Sequence, residues 1–121
     1  MTLYELANKY NFHDSLLEKV VYNEKNKLLK MEIDLCNWQQ QWYKDGESET
    51  ELISIIFKDV IKADISELPL NSDEIIEVIL LNDIANTIGL QIVAFNDINN
   101  TLHTFKIYAD DVRVDKYHTN G

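Results

Sequence analysis

The sequence predicts a mainly β domain of the α+β class, with one short N-terminal helix and six or seven mostly antiparallel strands. Three observations predict it. Apolar and polar side chains alternate in several stretches, turn-forming residues separate these stretches, and no long helical pattern lies between them. Successive strands without intervening helices favour an antiparallel sheet, either a sandwich or a curled half-barrel whose end is covered by the helix.

The first predicted elements are a helix over residues 2–10 and a β-hairpin over residues 16–36. Thr2 and Glu5 have the spacing of a capping box, and the apolar residues that follow repeat with the period of a helix. Residues 29–35 alternate strictly between apolar and polar side chains, after a polar turn. One face of the hairpin is therefore predicted to be buried.

The remaining strands are predicted from shorter alternations that end near residue 115. Alternate residues over 53–65 are apolar except at Asp59, so Ile61 shares the parity of Ile53. This stretch indicates one strand, or two short strands with a bend near Asp59. Residues 74–85 fit either a helix or a strand, and their β-branched content favours the strand. The other expected elements are a turn over 68–72, strands over 88–94 and 102–109, a last short strand over 112–114, and a flexible tail over 117–121.

The composition indicates a single domain spanning residues 1–121. Of the 121 residues, 45% are hydrophobic, and this length suits one domain. The only cysteine is Cys36, which excludes an intramolecular disulfide, and no neighbouring base predicts a reactive thiol. The sequence shows neither a secretory leader pattern nor an apolar run of about 20 residues. We therefore expect a cytoplasmic protein without a membrane partner.

The formal net charge of -10 is confined to the middle of the chain. Residues 45–97 hold twelve acidic residues against two lysines, whereas residues 1–44 and 98–121 are each neutral overall. Because phosphate binding depends on clustered Lys and Arg, we expect no nucleic-acid partner. The acidic segment has two main interpretations, a solvated face that maintains solubility or a recognition surface for a basic protein. Residues 45–51 lack the full ligand pattern of a calcium loop.

The motif His13-Asp14-Ser15 is the densest cluster of reactive side-chain types. Adjacent residues of one extended segment rarely form a hydrogen-bonded triad, so no catalytic residue is predicted. In a structural role, Asp14 and Ser15 would bond local backbone amides where the helix meets the strand, while His13 packs on the sheet or bonds to it; otherwise the motif contacts a ligand or partner. His103 is expected to be half-buried in the sheet, and His118 lies in the tail. These histidines do not form a zinc-binding pattern, and we predict neither a metal nor another cofactor.

Three aromatic residues stand in the polar connection after the hairpin, next to the acidic residues. Trp38 and Trp42 are four positions apart and can share one face of a helical turn. These aromatics either fold back over the open end of the sheet or anchor a protein interface. In the second case, the partner-binding candidates are Trp38, Trp42, Tyr43, Asp45, Glu47, Glu49 and Glu51.

The His13-Asp14-Ser15 motif, the hairpin that follows it and the alternating strand over residues 29–35 together resemble a set of small bacterial domains. This set includes immunity proteins of polymorphic-toxin systems, and residues 102–112 are similar to the closing strands of such domains. The resemblance implies a compact, β-rich, non-enzymatic protein, and an immunity role would mean binding and blocking a cognate toxin. Because immunity proteins vary most at the toxin interface, the resemblance carries over only the three residues of the motif.

Three hypotheses of function follow from these observations. The first is a cytoplasmic binding protein, an immunity-type inhibitor that binds a basic toxin through the acidic segment and the aromatic residues. The alternative is a small-molecule-binding or enzymatic domain with a pocket near His13 and Asp14. The third is an accessory domain that oligomerises through an open sheet edge.

Overall fold

The computed structural model describes residues 1–65, 70 and 72–116, and this part of the chain forms a mainly β fold with one short α-helix. The elements are α1 (Leu3–Lys9), β1 (Leu16–Asn23), β2 (Leu28–Cys36), a 3-10 helix (Asn37–Gln39), β3 (Thr50–Ile65), β4 (Asp73–Ile84), β5 (Thr87–Asn96) and β6 (Thr101–Lys116). The predicted fold class is confirmed. The expected turn over 68–72 falls largely, and the tail over 117–121 entirely, outside the described residues.

The six strands form one antiparallel sheet that curls into a closed ring in the order β1-β2-β3-β6-β5-β4. Long registers join most neighbours in the ring, including the 16-residue strands β3 and β6. Among the described residues, β1 and β4, which close it, pair at Leu16 with Glu74 and at Leu17 with Asp73 and nowhere else. We call these two residue pairs the seam. Because the seam is so short, the ring is a strongly curled half-barrel whose two edges meet at one place, and not a sandwich.

Helix α1 begins at the predicted capping box. The Thr2 hydroxyl accepts a hydrogen bond from the Glu5 N–H at 3.1 Å, and the Glu5 carboxylate accepts one from the Thr2 N–H at 3.1 Å. Leu3 and Leu6 are buried in the core, and the helix lies against β4, β5 and β6. The helix therefore closes an opening that the strands leave. Its length is seven residues, and no helix in the described ranges is long and apolar enough to cross a membrane.

The interior of the ring is a single hydrophobic core built from alternate residues of the strands. On β2, every second residue from Leu29 to Leu35 is fully buried, which confirms the predicted buried face of the hairpin. The other strands contribute in the same way; their fully buried residues include Leu17, Ile53, Ile55, Phe57, Ile75, Leu90, Ala94, Phe105 and Ile107.

β3 is one continuous strand that bends at Asp59, as the sequence allowed. Asp59 has a φ of 52°, a left-handed conformation that aspartate tolerates better than most residues. The register with β6 also shifts between Val60 and Lys62. As a result Val60 is buried like Ile53 while Ile61 is 44% exposed, so the prediction that Ile61 shares the parity of Ile53 is wrong. An irregularity of this kind moves the side chains that follow it to the other face of the sheet, and a pattern of alternate residues does not reveal where this happens.

Between Asp73 and Lys116 the chain forms three strands and no helix. Residues 73–84 are a strand, as their β-branched content predicted. β6 continues without a break to Lys116, so the expected separate short strand over 112–114 is instead the end of β6. The Thr87 hydroxyl donates a hydrogen bond to the Asp110 carboxylate at 3.1 Å, beside the point where a break was expected.

A close approach between β5 and β6 generates the first prediction. Gly89 pairs with Tyr108 across these strands, and a Cβ atom on Gly89 would overlap the Tyr108 ring. We expect Gly89→Ala to lower the free energy of unfolding by about 1–3 kcal/mol, measured by chemical denaturation, because the ring must leave a packed position. In a Tyr108→Ala background the same substitution should lower the free energy of unfolding much less. Equal costs in the two backgrounds would contradict the steric explanation.

Candidate functional site

The His13-Asp14-Ser15 motif forms the turn that leads from α1 into β1. The Asn11 side-chain oxygen accepts a hydrogen bond from the His13 N–H at 3.0 Å, and the Phe12 carbonyl accepts one from the Ser15 N–H at 3.0 Å. Asp14 has a φ of 69°, again in the left-handed region. This tight turn points the three consecutive side chains of the motif in different directions.

The backbone of the motif extends the seam. The Asp14 N–H donates to the Ile75 carbonyl at 3.0 Å, and the Ile75 N–H donates to the Ser15 carbonyl at 2.8 Å. Ser15 is fully buried, and its hydroxyl accepts a hydrogen bond from the Cys36 N–H at 2.9 Å. The interpretation that Ser15 bonds a local amide is therefore wrong, because Cys36 lies 21 residues further along the chain. The motif joins the start of β4 to the end of β2.

His13 and Asp14 lie on the outer side of the same turn. The His13 Nδ1 atom is 3.1 Å from an Asp14 carboxylate oxygen, and the His13 side chain is 56% exposed. The expectation that His13 packs on the sheet or bonds to it is wrong, because its exposed imidazole contacts Asp14 of the same turn. The other Asp14 oxygen accepts a hydrogen bond from the Gln39 amide at 3.0 Å, so this carboxylate is also not bonded to a local backbone amide. Since Ser15 faces the interior, the three residues do not form a catalytic triad.

Asp14 and Glu74 form a carboxyl pair beside the seam. A hydrogen bond with Glu74 lowers the pKa of Asp14 below its usual value, and the nearby His13 and Gln39 lower it further. The same hydrogen bond raises the pKa of Glu74, with burial and the negative charge of Asp14 adding to the effect. The two groups therefore hold one proton between them at a higher pH than two isolated carboxyl groups would.

A cleft of about 560 Å³ opens next to this carboxyl pair. One wall is the end of α1 and the turn after it, residues 7–13, and the other is residues 76–78 of β4. Gln40 fixes part of the lining, because its side chain exchanges hydrogen bonds with the Asn11 backbone at 2.9 and 2.6 Å and donates to the Cys36 carbonyl at 2.9 Å. The cleft exists because the pairing of β1 with β4 stops at the seam.

The three aromatic candidates do not form one patch. Trp42 packs against the core, where its ring meets Tyr10 edge-to-face with centroids 5.6 Å apart and Lys116 lies 5.7 Å from its centroid. Trp38 is instead 50% exposed, and Tyr43 is half-buried. Trp42 therefore folds back over the sheet, whereas Trp38 presents its indole to solvent.

Most of the acidic candidates lie on an exposed loop over residues 44–49, which we call the acidic loop. Its exposed acids are Asp45, Glu47 and Glu49. Asn37 holds the loop through its N–H, which donates to the Glu49 carbonyl at 2.8 Å, and through its side-chain amide, which donates to the Ser48 carbonyl at 3.1 Å. In the described part of the chain, none of the three acids forms an ion pair. Glu51 is different, because it is half-buried and lies 3.4 Å from the Lys116 ammonium.

Sequence reasoning did not anticipate a buried hydrogen bond between Asp73 and His103 inside the ring. Asp73 is fully buried, and its carboxylate lies 2.6 Å from the Nδ1 atom of His103. The His103 side chain is 13% exposed, close to the half-buried position that its parity predicted. Asp73 also belongs to the seam through its pairing with Leu17. The pair thus connects β4 to β6 across β5, the strand that lies between them in the ring.

Neither a metal centre nor an activated thiol is found among the described residues. No three His, Cys, Asp or Glu side chains of this part of the chain converge in a way that could hold a metal ion. Cys36 is a buried free cysteine, and burial raises the pKa of its thiol, with nearby carboxylates adding to the effect. A thiol of raised pKa is a poor nucleophile.

No protein-family model matches the chain, and searches of curated proteins and of solved structures return no match either. The similarity to small bacterial immunity domains therefore stays a prediction. A functional proposal for this chain rests on its own residues and their geometry.

The carboxyl pair beside the seam generates a prediction about titration. We expect Asp14→Asn to lower the pKa of Glu74 towards its ordinary value, because the carboxylate that raises it is removed while asparagine tolerates the left-handed turn. A ¹³C NMR titration of the Glu74 carboxyl carbon measures this change. The control Asp45→Asn removes one exposed negative charge in the acidic loop and should leave Glu74 unaltered. An unchanged Glu74 pKa in Asp14→Asn would show that the two groups do not interact.

The buried hydrogen bond between Asp73 and His103 generates a prediction about stability. Asp73→Asn should lower the free energy of unfolding by about 1–3 kcal/mol, because it replaces the buried carboxylate that bonds to His103. Asp83→Asn, at an exposed position of the same strand, should change it by less than about 0.5 kcal/mol. Urea denaturation of both variants measures the difference. Similar losses for the two would refute a special role for the pair.

Proposed function

We propose that this chain is a non-enzymatic, cytoplasmic binding domain that recognises a basic protein, and that it acts as an immunity-type inhibitor of a basic toxin. One observation carries the proposal. The acidic loop exposes three carboxylates without an ion-pair partner in the described part of the chain, and it is hydrogen-bonded to Asn37, the residue before the half-exposed Trp38. An aromatic anchor surrounded by charges of one sign is typical of a surface that binds an oppositely charged protein.

The local hydrogen bonds support recognition by a preformed surface. Asn37 holds the acidic loop by two hydrogen bonds, and Trp38 follows it directly in the chain. The anchor and the charges are therefore held in a fixed relation, which reduces the conformational entropy lost on binding. Since the whole net charge of -10 comes from residues 45–97, a basic partner would also be attracted over a distance of about one Debye length.

Two features of the chain support a non-enzymatic role. The Ser15 hydroxyl is buried and accepts a backbone hydrogen bond, so it is not presented to a substrate beside His13. The Cys36 thiol is buried, and its raised pKa keeps it protonated. A free cysteine and the lack of any disulfide also suit the reducing cytoplasm.

A second candidate function is the binding of a small molecule in the cleft, favoured by the exposed His13 imidazole in its lining. The lining is rich in amide and charged side chains, whereas most small-molecule sites are predominantly apolar. This composition makes the cleft a weaker candidate for a small ligand than the acidic loop is for a basic protein. His13→Ala separates the two functions, since it alters the cleft and leaves the loop intact.

The proposal predicts that capture of a partner depends on the acidic loop. The tagged chain, a Glu47→Lys/Glu49→Lys variant and a Glu24→Lys/Asp64→Lys control are compared in lysate of the source cells at about 0.05 and 0.5 M salt. The control makes the same change in net charge at exposed positions elsewhere. We expect the wild type and the control to enrich the same basic protein at low salt, and the loop variant to associate with the purified partner about tenfold more slowly. Equal association of the two variants would refute the role of the loop.

The inhibitory part of the proposal has a separate test. The captured protein should arrest growth when it is expressed alone, and co-expression of the wild-type chain should restore growth. The loop variant should restore it less well. A captured partner that is harmless by itself would overturn the immunity role while leaving the binding role standing.

A further inference from the structure

β4 has one edge that lacks a partner strand over most of its length. It pairs with β5 from Glu74 to Ile84, but with β1 only at the seam. Beyond the hydrogen bonds of Ile75, no strand of the described ranges pairs with this edge. We call residues 76–84 of β4 the open edge. The cleft lies along its first part, since residues 76–78 form one wall.

The open edge is unusually apolar for a strand that faces solvent. Its exposed large side chains are Ile76, Ile79, Leu80 and Ile84, each between 39% and 42% exposed. Leu80 pairs with the buried Leu90 and so faces the interior side of the sheet, yet it is as exposed as its neighbours. Monomeric β proteins commonly protect such an edge with lysine or proline, and β4 contains neither; its register with β5 shifts between Ile75 and Glu77 and between Leu81 and Ile84, so residues 77–81 are the regular part of the edge.

We propose that the open edge receives an extended cationic segment of a partner protein as an added β-strand, seated in the cleft between β4 and residues 7–13. This inference rests on the proposed function, because the segment belongs to the basic partner. The free backbone groups of β4 provide hydrogen bonds to the added strand, and its exposed isoleucines and leucine pack against alternate side chains of that strand. Glu77 and Asp83 select Lys or Arg at the neighbouring positions.

The charge of β4 favours a basic segment over a second copy of this chain as the added strand. β4 carries Asp73, Glu74, Glu77 and Asp83 and no lysine or arginine. If two copies paired through this edge, every register would place only acidic or neutral residues opposite one another, between chains that each carry a net charge of -10. A basic strand converts the same acids into cross-strand ion pairs.

The charges of the cleft are arranged to suit a cationic strand next to β4. Glu77 stands on the β4 wall, while the cation Lys9 stands on the opposite wall with its ammonium 5.7 Å from the Tyr10 ring. The negative charge therefore lies on the side where the added strand would pair. His13, at the end of the opposite wall, is held by Asp14.

The test uses a synthetic decapeptide of alternating lysine and valine, added to the full chain and followed by ¹⁵N–¹H NMR. We expect amide signals of residues 76–84 and 7–13 to shift. A fully N-methylated form of the peptide cannot donate backbone hydrogen bonds and should bind at least about tenfold more weakly. A glutamate–valine peptide of the same length should not bind.

Matched variants separate the open edge from other exposed apolar positions. Ile79→Lys places a positive charge on the open edge, and Ile61→Lys does so on the part of β3 that pairs with β6 after the pairing with β2 has ended at Phe57; the two isoleucines are 42% and 44% exposed. We expect Ile79→Lys to weaken binding of the lysine–valine peptide about tenfold and Ile61→Lys to leave it unchanged. The Glu47→Lys/Glu49→Lys variant should still bind the peptide at the open edge.

Several results would overturn the inference. These are no binding of the lysine–valine peptide, equal binding of its N-methylated form, or a wild-type dimer in sedimentation that Ile79→Lys dissociates. Shifts confined to residues 44–49 would also overturn it while supporting the proposed function of the acidic loop. The opposite outcome is also distinguishable. If the peptide shifts signals of residues 76–84 and the Glu47→Lys/Glu49→Lys variant still captures the partner, the proposed role of the loop is refuted and the open edge is supported. If Ile79→Lys does not fold, the shifts in the wild type decide the question.

Discussion

The closure of the ring depends on one tight turn that brings two distant strand ends together. A sheet curled this strongly leaves the start of β1 and the start of β4 close to the core, where unpaired backbone groups are costly. The turn at Asp14 and Ser15 satisfies them through the two hydrogen bonds with Ile75 and the bond from the Cys36 N–H to the Ser15 hydroxyl. The buried pair of Asp73 with His103 supports the same region from within. The cleft, the carboxyl pair and the open edge all exist because pairing stops where this turn ends.

The three residues of the 3-10 helix connect the candidate surfaces into one region. Asn37 holds the acidic loop, Trp38 faces solvent, and Gln39 binds the Asp14 carboxylate at the margin of the cleft. The acidic loop, the exposed indole and the Asp14 carboxylate are therefore all attached to, or contacted by, one short segment of the chain. This continuity links the proposed function to the added strand, although each rests on its own observations.

The local parts of this architecture could be predicted from the sequence, and the joints between them could not. The capping box, the hairpin and the strand character of residues 73–84 follow from periodicity and residue type, which act over short distances. The face of Ile61 could not be predicted, because the positive φ of Asp59 and the register shift have no signature in an alternating pattern. The contacts of Asp14 with Ile75 and of Asp73 with His103 join residues 61 and 30 positions apart, and nothing in a single sequence pairs them. The exposure of His13 could not be predicted either, because it depends on the turn that is hydrogen-bonded to Ile75 at the seam.

The brevity of the seam also affects how the molecule moves and folds. β3 and β6 are held by a register of more than ten residues, whereas the ring itself is closed by two residue pairs and the turn beside them. Segments with few hydrogen bonds open at a lower free energy than the rest of a protein, so the ring can part at the seam while the long central ladder stays intact. The residues paired at the seam are also far apart in the chain. Closing so long a loop costs conformational entropy, so we expect this contact to form late in folding. Before the ring closes, the chain is an open sheet with β1 at one edge and β4 at the other, and the turn at Asp14 converts it into a ring.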